Sequence, residues 1–344
     1  MRRERAKASA QFRDGRFHNT DGVSAGLQPG QAIPTMREYF MGDRSRRTPP
    51  APLPLVNPLP VWTTPHSGLR ATWLGHSTVL LEIDGVRLLT DPIWAERSSP
   101  MRFAGPKRFQ RVPVTIEQLP ELDAVILSHD HYDHLCRESM IALAKKQIPI
   151  ITSLGVGARL EAWGIPADQF VELDWWESTS GVGFEVTATP SQHFSGRSLN
   201  DRNRTLWSSM VIRTERHTVF FSGDTGLTQE YVSIGERFGP FDLVMLEIGA
   251  YHESWGTVHL GPDGALEAHR LLGGGPLLPV HWGTFDLAMH DWDQPAERLL
   301  ELGRDIPLLM PKLGAPTEPA QFDGPTPWWR EVLAVQGAPV ARQA

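Results

Sequence analysis

The sequence predicts an α+β protein in which β-sheets are covered by outer helices. Residues 71–92 contain three short apolar stretches separated by turn residues, a pattern that indicates antiparallel strands joined in hairpins. From residue 124 to about residue 313, apolar strand-like runs alternate with helical patterns. Hairpins followed by strand–helix alternation are typical of sheets with helices packed on their outer faces.

Local turn and capping signals place the individual elements. The Asp84-Gly85 pair lies between two apolar runs and predicts a tight hairpin turn, and residues 215–217 mark a second hairpin. Pro262 in a first turn and Gly273 after the last periodic residue bound one helix. The strands predicted after the first hairpin are 124–127, 148–152, 183–189, 207–213, 218–222, 242–248 and 277–282, and the predicted helices are 135–146, 154–163, 227–238, 262–272 and 294–302.

The first part of the chain differs in composition from the rest. Up to about residue 45 it is polar and glycine-rich with little periodicity, so we expect an arm or an irregular cover. Residues 48–65 are dense in proline and predict an extended, polyproline-type segment. Because this segment also carries many apolar side chains, we expect it to pack on the body. The predicted organisation is an N-terminal arm over residues 1–68 and a main domain over residues 69–344.

Composition limits the class of protein. A chain of 344 residues with 40% hydrophobic content can bury a large core. A net charge of −7 and the lack of a long basic run argue against nucleic acid as a partner. The single cysteine, Cys136, excludes a disulfide framework. The sequence has no apolar run of membrane-span length and no apolar region behind its basic start, so we expect a cytoplasmic protein with at most peripheral membrane contact.

Residues 123–135, DAVILSHDHYDHL, carry the most specific chemical signal in the chain. After an apolar strand-like run, His129, His131, Asp133 and His134 follow within six positions. Imidazole and carboxylate together suit a divalent ion such as zinc. The first two histidines leave the strand end in one direction, whereas Asp133 and His134 lie where the chain turns into a helix. One corner therefore predicts two adjacent metal positions, the arrangement used in two-metal hydrolysis.

Three further ligand-type residues follow other predicted strands. His193 comes after 183–189, Asp224 after 218–222, and His281 at the end of the strand that begins at residue 277. Each would be unremarkable alone, because a histidine near an apolar strand is usually structural. Ligand sites in α/β architectures form beyond the carboxyl ends of strands, so their shared position predicts that they join the site of the histidine-rich motif.

The chain resembles the metallo-β-lactamase-fold hydrolases. Within that superfamily it is most similar to the branch that contains N-acyl-phosphatidylethanolamine phospholipase D, with the ascorbate-6-phosphate lactonases as more distant relatives. The resemblance covers about residues 69–313 and implies a four-layer αβ/βα sandwich. It is carried by the motifs TWLGHST (72–78), LTDP (89–92), SPMRFAGPKR (99–108), SHDHYDHL (128–135), TPSQHF (189–194), SGDTG (222–226), IGAY (248–251) and HWGTF (281–285).

The resemblance also implies a role for each candidate ligand and a cofactor of two zinc ions (Zn2+) per chain. His129, His131 and His193 would hold the first ion, Asp133, His134 and His281 the second, and Asp224 would bridge both together with a hydroxide. Asp133, Asp224 and His259 are the residues implied in catalysis. His259 would hold a phosphate oxygen or protonate a leaving group; the alternative is a histidine that only begins a helix.

The implied function is hydrolysis of a phosphodiester in a glycerophospholipid such as N-acyl-phosphatidylethanolamine, by a phospholipase D type of reaction. Two divalent ions carry four positive charges, while two carboxylates and one hydroxide remove three, so the centre favours an anionic substrate. The alternative enzyme is a lactonase or other carboxylic-ester hydrolase, and the non-enzyme alternative is a metal-dependent sensor or scaffold. The partner is a small-molecule or phospholipid substrate, and a homodimer is allowed.

Other residues near these motifs have predicted supporting roles. His76 is expected to pin strands beneath the site rather than to take part in chemistry. Asp91 is expected to accept a hydrogen bond from a metal-bound histidine, as such ligands usually require. Trp94, Trp255 and Trp282 are candidates for the wall of an apolar groove for acyl chains, with ordinary core packing as the alternative.

Overall fold

Two β-sheets face each other in the computed structural model, which describes residues 2–22, 30–198 and 200–334. A small N-terminal hairpin precedes them and consists of β1 Phe12–Arg13 and β2 Arg16–Phe17. The first sheet contains β3 Leu69–Gly75, β4 Thr78–Ile83, β5 Val86–Thr90, β6 Ala124–Leu127, β7 Ile150–Ser153, β8 Phe170–Leu173 and β15 Pro316–Thr317. The second sheet contains β9 Ser178–Gly181, β10 Phe184–Thr189, β11 Ser209–Arg213, β12 Thr218–Phe221, β13 Leu243–Glu247 and β14 Leu277–Val280.

The helices precede, connect and follow these strands along the chain. They are α1 Arg2–Ala8, α2 Ala32–Met41, α3 Leu59–Trp62, α4 Arg137–Lys145, α5 Gly157–Ala162, α6 Glu230–Phe238, α7 Gly261–Leu271, α8 Gln294–Leu302 and α9 Trp329–Ala334. Short 3₁₀ helices occur at Ile116–Gln118, Ala167–Gln169, Glu253–Trp255 and Pro319–Gln321.

Side chains of the first sheet alternate between two apolar layers. In β4, Val79 and Leu81 belong to the buried cluster that includes Val186 of β10, whereas Leu80 belongs to the cluster that includes Leu143 of α4. This follows from the strand geometry, because consecutive residues point to opposite faces. Buried residues of α6, α7 and α8 join the cluster of the second sheet. The predicted α+β fold, a four-layer sandwich, is therefore confirmed.

The strands that carry the candidate ligands end at one edge of the sandwich. The order across the first sheet is β15-β3-β4-β5-β6-β7-β8, and the order across the second is β14-β13-β12-β11-β10-β9. Strands β5 to β8 pair in parallel, as do β12, β13 and β14. Parallel strands present their carboxyl ends on the same side, which is where ligand sites form in such sheets.

The turn between β4 and β5 has the geometry that its sequence predicts. Asp84 has φ +49° and Gly85 has φ +88°, so both central residues adopt the left-handed conformation of a type I′ turn. Aspartate tolerates this conformation and glycine adopts it without a steric cost. The predicted hairpin is confirmed at this turn, which lies at the opposite end of β5 from the candidate site.

The N-terminal residues are more regular than the sequence predicts. The expected irregular arm contains α1, the hairpin of β1 and β2, and α2. Their order comes from tertiary contacts that leave no periodic pattern: Phe17 is fully buried against Leu154 and Trp207 of the body. The division of the chain at residue 68 stays a prediction.

The proline-rich segment contacts the body but is not extended throughout. The amide of Val56 donates to the carbonyl of Leu313 at 2.9 Å, and Leu53 is buried in the main core. The expectation of a polyproline conformation is wrong for α3, where Pro60 lies in the first turn of a short helix. Proline is tolerated there because the first-turn amides have no partner within the helix. Among the described helices, none has the length and apolar character needed to cross a lipid bilayer.

Candidate metal centre

A strand-to-helix corner after β6 presents the histidine-rich motif to the edge of the sheet. The carboxylate of Asp91, just past β5, accepts hydrogen bonds from the amide of Ser128 at 2.8 Å and from its hydroxyl at 2.6 Å. Gly223 has φ +54°, and a Cβ added to it would lie 2.5 Å from the Cβ of Ser128. This close approach requires glycine, and it brings Asp224 beside the motif.

Four side chains form the first cluster of possible ligands. Nε2 of His129 lies 2.9 Å from Nδ1 of His131, which lies 3.3 Å from Nε2 of His193. Oδ2 of Asp224 is 3.8 Å from His129 Nε2 and 3.6 Å from His193 Nε2. One ligand atom of each residue therefore points to a common centre. Three imidazoles and one carboxylate form a donor set that suits zinc.

The second cluster shares Asp224 with the first. Oδ1 of Asp224 lies 3.1 Å from Nε2 of His134 and 3.1 Å from Nε2 of His281. Oδ2 of Asp133 lies 3.3 Å from His281 Nε2 and 3.6 Å from His134 Nε2. Ligand atoms about 2.1 Å from one zinc ion at tetrahedral angles would be about 3.4 Å apart. The two oxygens of Asp224 thus face two different centres.

Outer hydrogen bonds decide which nitrogen each imidazole turns to the centre. Nδ1 of His134 lies 2.7 Å from Oδ2 of Asp91, and Nδ1 of His193 lies 2.9 Å from the carbonyl of Val258. Both partners are acceptors, so each Nδ1 donates its hydrogen and each Nε2 faces inward. The hydrogen bond predicted from a histidine of the motif to Asp91 is present.

Several inward atoms lack the partners that buried polar atoms normally have. Within the described part of the chain, Nε2 of His134, Oδ1 of Asp224 and Nε2 of His281 are buried without a hydrogen bond of normal geometry, although the oxygen lies 3.1 Å from each nitrogen. Each such atom costs free energy unless it is paired. Lone pairs and carboxylate oxygens that converge in this way are stabilised by a cation. The residues present therefore fit the metal that the sequence implies.

The pKa of a histidine shifts in opposite directions in the two clusters, down for His129 and His193 of the first and up for His134 of the second. Burial lowers the pKa of His129 and His193 well below the usual value, which keeps both imidazoles neutral and able to bind a metal. For His134 burial acts in the same direction, but the carboxylates of Asp224 and Asp133 raise its pKa well above the usual value. These buried carboxylates carry negative charge that a divalent ion would balance.

His259 lies next to both clusters and is held by a buried carboxylate. Its Nδ1 is 2.8 Å from Oε2 of Glu247, the last residue of β13. Oε1 of Glu247 accepts the amide of Thr225 at 2.8 Å, and Oε2 lies 3.7 Å from Nδ1 of His281. Although burial opposes protonation of His259, the charge of Glu247 raises its pKa. His259 lies two residues before the start of α7, so its role in catalysis and the alternative of a histidine at a helix start both stay predictions.

Two residues at the centre were not predicted to lie there from the sequence. Glu247 was not predicted, although a charged residue at the end of the apolar run Leu243–Glu247 carries the same strand-end signal as the ligands. His76 was predicted only to pin strands, yet its Nε2 lies 3.1 Å from Oδ2 of Asp133. It also fits a possible metal-ligand group with Asp133, His134 and His281.

The three candidate groove tryptophans lie in different environments. Trp282 is 3% exposed and stacks on Trp73 with ring centroids 5.3 Å apart, so most of its ring packs in the core. Trp94 is partly buried and donates its indole N–H to the carbonyl of Val114. Trp255 has its ring centroid 6.4 Å from that of His259.

Comparisons with known proteins give the same architecture. Residues 86–282 match the model of a β-lactamase superfamily domain. An uncharacterized protein of Mycobacterium tuberculosis is 42% identical over 331 residues, which cover 94% of this chain and 88% of that protein. The N-acyl-phosphatidylethanolamine-hydrolyzing phospholipase D 1 of Caenorhabditis elegans is 41% identical over 249 residues, which cover 69% of this chain and 70% of that protein.

A solved structure shows the same fold at low sequence identity. It is that of a possible metal-dependent hydrolase from Veillonella parvula, which superposes with a TM-score of 0.61. The two chains are 16% identical, and the match covers 73% of this chain and 100% of the other.

Proposed function

Since the chain belongs to the metallo-β-lactamase superfamily of metal-dependent hydrolases, we propose that it hydrolyses the phosphodiester bond of a glycerophospholipid. N-acyl-phosphatidylethanolamine is the proposed substrate, with water as the second reactant and phosphatidic acid and an N-acylethanolamine as products. The proposed cofactor is a pair of zinc ions, held by His129, His131, Asp133, His134, His193, Asp224 and His281.

The observation that carries this proposal is the position of Asp224 between the two clusters. Its Oδ1 faces the nitrogens of His134 and His281, and its Oδ2 faces those of His129 and His193. Two divalent ions bound there would lower the pKa of a bound water and stabilise the attacking and leaving oxygens of a displacement at phosphorus. One carboxylate shared by both clusters fixes their spacing.

Charge at the centre favours an anionic substrate. Two divalent ions would bring four positive charges, and Asp133 and Asp224 supply two negative ones. Glu247 is compensated separately, because it lies 2.8 Å from Nδ1 of His259. A phosphodiester carries the negative charge that such a surplus attracts, whereas a lactone is neutral. The C. elegans relative, whose name states hydrolysis of N-acyl-phosphatidylethanolamine, supports the same substrate class.

His259 is the residue proposed to meet the substrate directly. Because its Nδ1 donates to Glu247, its Nε2 is the atom left to contact a phosphate oxygen or the leaving oxygen. The carboxylate holds the ring in one orientation, which reduces the cost of placing it at the reacting group. We therefore assign His259 to phosphate contact or leaving-group protonation, and Asp133 and Asp224 to holding the metal pair.

A substrate panel on the full-length, zinc-loaded protein tests the proposed function. The panel contains N-acyl-phosphatidylethanolamine in mixed micelles, a soluble aryl phosphodiester, a lactone and a carboxylic ester, with Asp224→Asn as the inactive control. We expect turnover of both phosphodiesters. Efficient lactone opening with both phosphodiesters untouched would replace the proposal by a carboxylic-ester hydrolase, and lack of any turnover at full zinc content would favour a sensor.

Metal content and acyl length separate the parts of the proposal. The purified protein should bind close to two zinc ions per chain, and a content that stays at one after zinc addition contradicts the binuclear site. In a series of phospholipids, kcat/KM should rise with acyl length. The rise should correspond to at most about 0.8 kcal/mol of binding free energy for each CH₂ that is buried. A flat response would remove the lipid assignment and leave the phosphodiesterase.

A further inference from the structure

Asn19 of the N-terminal segment is bonded to the main chain of His193, 174 positions away. Its Nδ2 donates to the carbonyl of His193 at 2.9 Å, and its Oδ1 accepts the amide of the same residue at 3.0 Å. The indole N–H of Trp207 also donates to Oδ1, at 2.9 Å. The side chain of Asn19 thus takes part in these hydrogen bonds, and the two to His193 hold the main chain of a candidate ligand of the first cluster.

The main chain at His193 depends on these bonds because it lies outside the sheet. Strand β10 ends at Thr189, so the following residues have no ladder partners, and His193 is fully buried. A buried amide and carbonyl without partners would each cost about 1–3 kcal/mol. Asn19 satisfies both groups at once, in the manner of a neighbouring strand.

The position of Asn19 is set by packing that does not involve the metal ligands. Phe17 is fully buried beside Leu154 and Trp207. Its amide donates to the carbonyl of Asn203 at 2.8 Å, and the side chain of Asn203 donates back to the carbonyl of Phe17 at 3.2 Å. The hairpin of β1 and β2 is thus anchored to the body two residues before Asn19. This anchoring fixes the position of the Asn19 carboxamide.

The ring of His193 is held from another side. Its Nδ1 donates to the carbonyl of Val258 at 2.9 Å, which turns Nε2 towards His131 and Asp224. Orientation of the ring therefore needs two supports: Val258 for the imidazole and Asn19 for the main chain that carries it. Groups that orient a metal ligand in this way commonly change metal affinity by 10- to 100-fold when removed.

We propose that Asn19 is a positioning residue of the first metal cluster and that the N-terminal segment is part of the metal centre. This inference rests on the proposed function, in which His193 binds the first zinc ion. Its consequence is that changes in the N-terminal segment act on metal binding through one carboxamide, and not only on the stability of the fold.

The experiment compares four variants of the full-length protein: Asn19→Ala, Asn19→Asp, Phe17→Leu and His193→Ala. Zinc affinity is measured by competition with a chromophoric chelator, coordination by the visible spectrum of the Co²⁺-substituted protein, and stability by thermal unfolding. Asn19→Asp keeps the shape and the acceptor but loses the donor. Phe17→Leu is the matched control, because it loosens the same hairpin and keeps the carboxamide.

We expect Asn19→Ala to weaken one of the two zinc sites by about 10- to 100-fold and to alter the Co²⁺ spectrum. Asn19→Asp should give a smaller change of the same kind. Phe17→Leu should lower the unfolding temperature but weaken zinc binding less than Asn19→Ala does, because it keeps the carboxamide and the main-chain bonds of the hairpin to Asn203. If Asn19→Ala fails to fold, an altered Co²⁺ spectrum in Asn19→Asp supports the proposal.

Two results would overturn the inference. The first is a zinc affinity and a Co²⁺ spectrum within twofold of wild type in the Asn19 variants while His193→Ala loses the site. The second is an equal loss of affinity in Phe17→Leu at the same drop in stability, which would make the effect purely structural. Unchanged zinc binding in His193→Ala is a different outcome, because it removes the proposed first metal site itself.

Discussion

Nε2 of His76 lies 3.1 Å from Oδ2 of Asp133, among the imidazole nitrogens that surround that oxygen. His281 and His134 approach the same oxygen at 3.3 and 3.6 Å. The backbone of His76 is left-handed, with φ +55°, a conformation that costs free energy for this residue type. It is held there in part by the amide of His281, which donates to the carbonyl of His76 at 3.0 Å. His76 thus joins the two sheets and also reaches the second cluster.

We predict that His76→Ala lowers zinc occupancy of the second cluster and lowers activity by about 10- to 100-fold, because Asp133 loses the side chain that orients it. Zinc content per chain and kcat/KM measure the effect, and thermal unfolding separates it from loss of fold. His66→Ala, a histidine outside both clusters, is the matched control. Normal zinc content in His76→Ala would limit this residue to joining strands.

Asp224→Asn should reduce turnover by at least about a hundredfold while the fold is kept. The substitution keeps the size of the side chain but removes the charge that both clusters share. An amide also offers only one oxygen, so it bridges two cations poorly. Steady-state kinetics and zinc content are measured on the same preparation. Turnover near the wild-type value would contradict the bridging role.

The sequence predicts the site better than it predicts what supports the site. His129, His131, Asp133 and His134 are adjacent in the chain, and the strand before them is recognisable from its apolar run. Their convergence with His193, Asp224 and His281 follows from the strand-end position, which is also readable. These contacts depend on chain direction and not on fine packing.

The supporting contacts could not be predicted in the same way. Asn19 reaches His193 across 174 positions, and nothing in the local pattern of residues marks it. The region around it was expected to be irregular because it is polar and glycine-rich with little periodicity. The burial of Phe17, a single aromatic residue, leaves no such periodic pattern. Trp282 was a groove candidate because it follows His281, yet the chain turns there and its ring packs on Trp73. Sequence proximity to a motif does not decide which way a side chain points.

Glu247→Gln should lower kcat/KM more than it lowers zinc content, because the carboxylate orients His259 through Nδ1. His259→Ala should do the same. Since the two residues act through one hydrogen bond, the double variant should lose little more than the larger single loss. Additive losses would show that they act independently. An equal fall of zinc content and activity in Glu247→Gln would place its main effect on His281 instead.

Asp84 provides a test of stability away from the site. Its side chain is 5% exposed, and it accepts hydrogen bonds from the hydroxyl of Thr214 and the amide of Arg216, which link the two sheets. Burial raises the pKa of Asp84. These hydrogen bonds, together with those from the side chains of His217 and Arg216, lower the pKa by more than burial raises it, so the net shift is downward. A lowered pKa in the folded state contributes stability that is fully present above the unfolded pKa of about 3.9 and is lost as the pH falls from there through the folded-state pKa.

Asp84→Asn should therefore lower the free energy of unfolding by about 1–3 kcal/mol at pH 7, with a smaller difference from wild type below about pH 4. Urea unfolding at several pH values measures this, and Asp168→Asn at an exposed position is the control. A difference that grows as the solution becomes more acidic would contradict the sign of the shift.

The bond that is cleaved in N-acyl-phosphatidylethanolamine tests the central claim most directly. Full-length, zinc-loaded protein is incubated with this lipid in ¹⁸O-labelled water, and the products are analysed by mass spectrometry with Asp224→Asn as the blank. Attack of water at phosphorus predicts one ¹⁸O atom in phosphatidic acid and unlabelled N-acylethanolamine. Label in a released fatty acid, with phosphatidic acid missing from the products, would show carboxylic-ester hydrolysis and contradict the account.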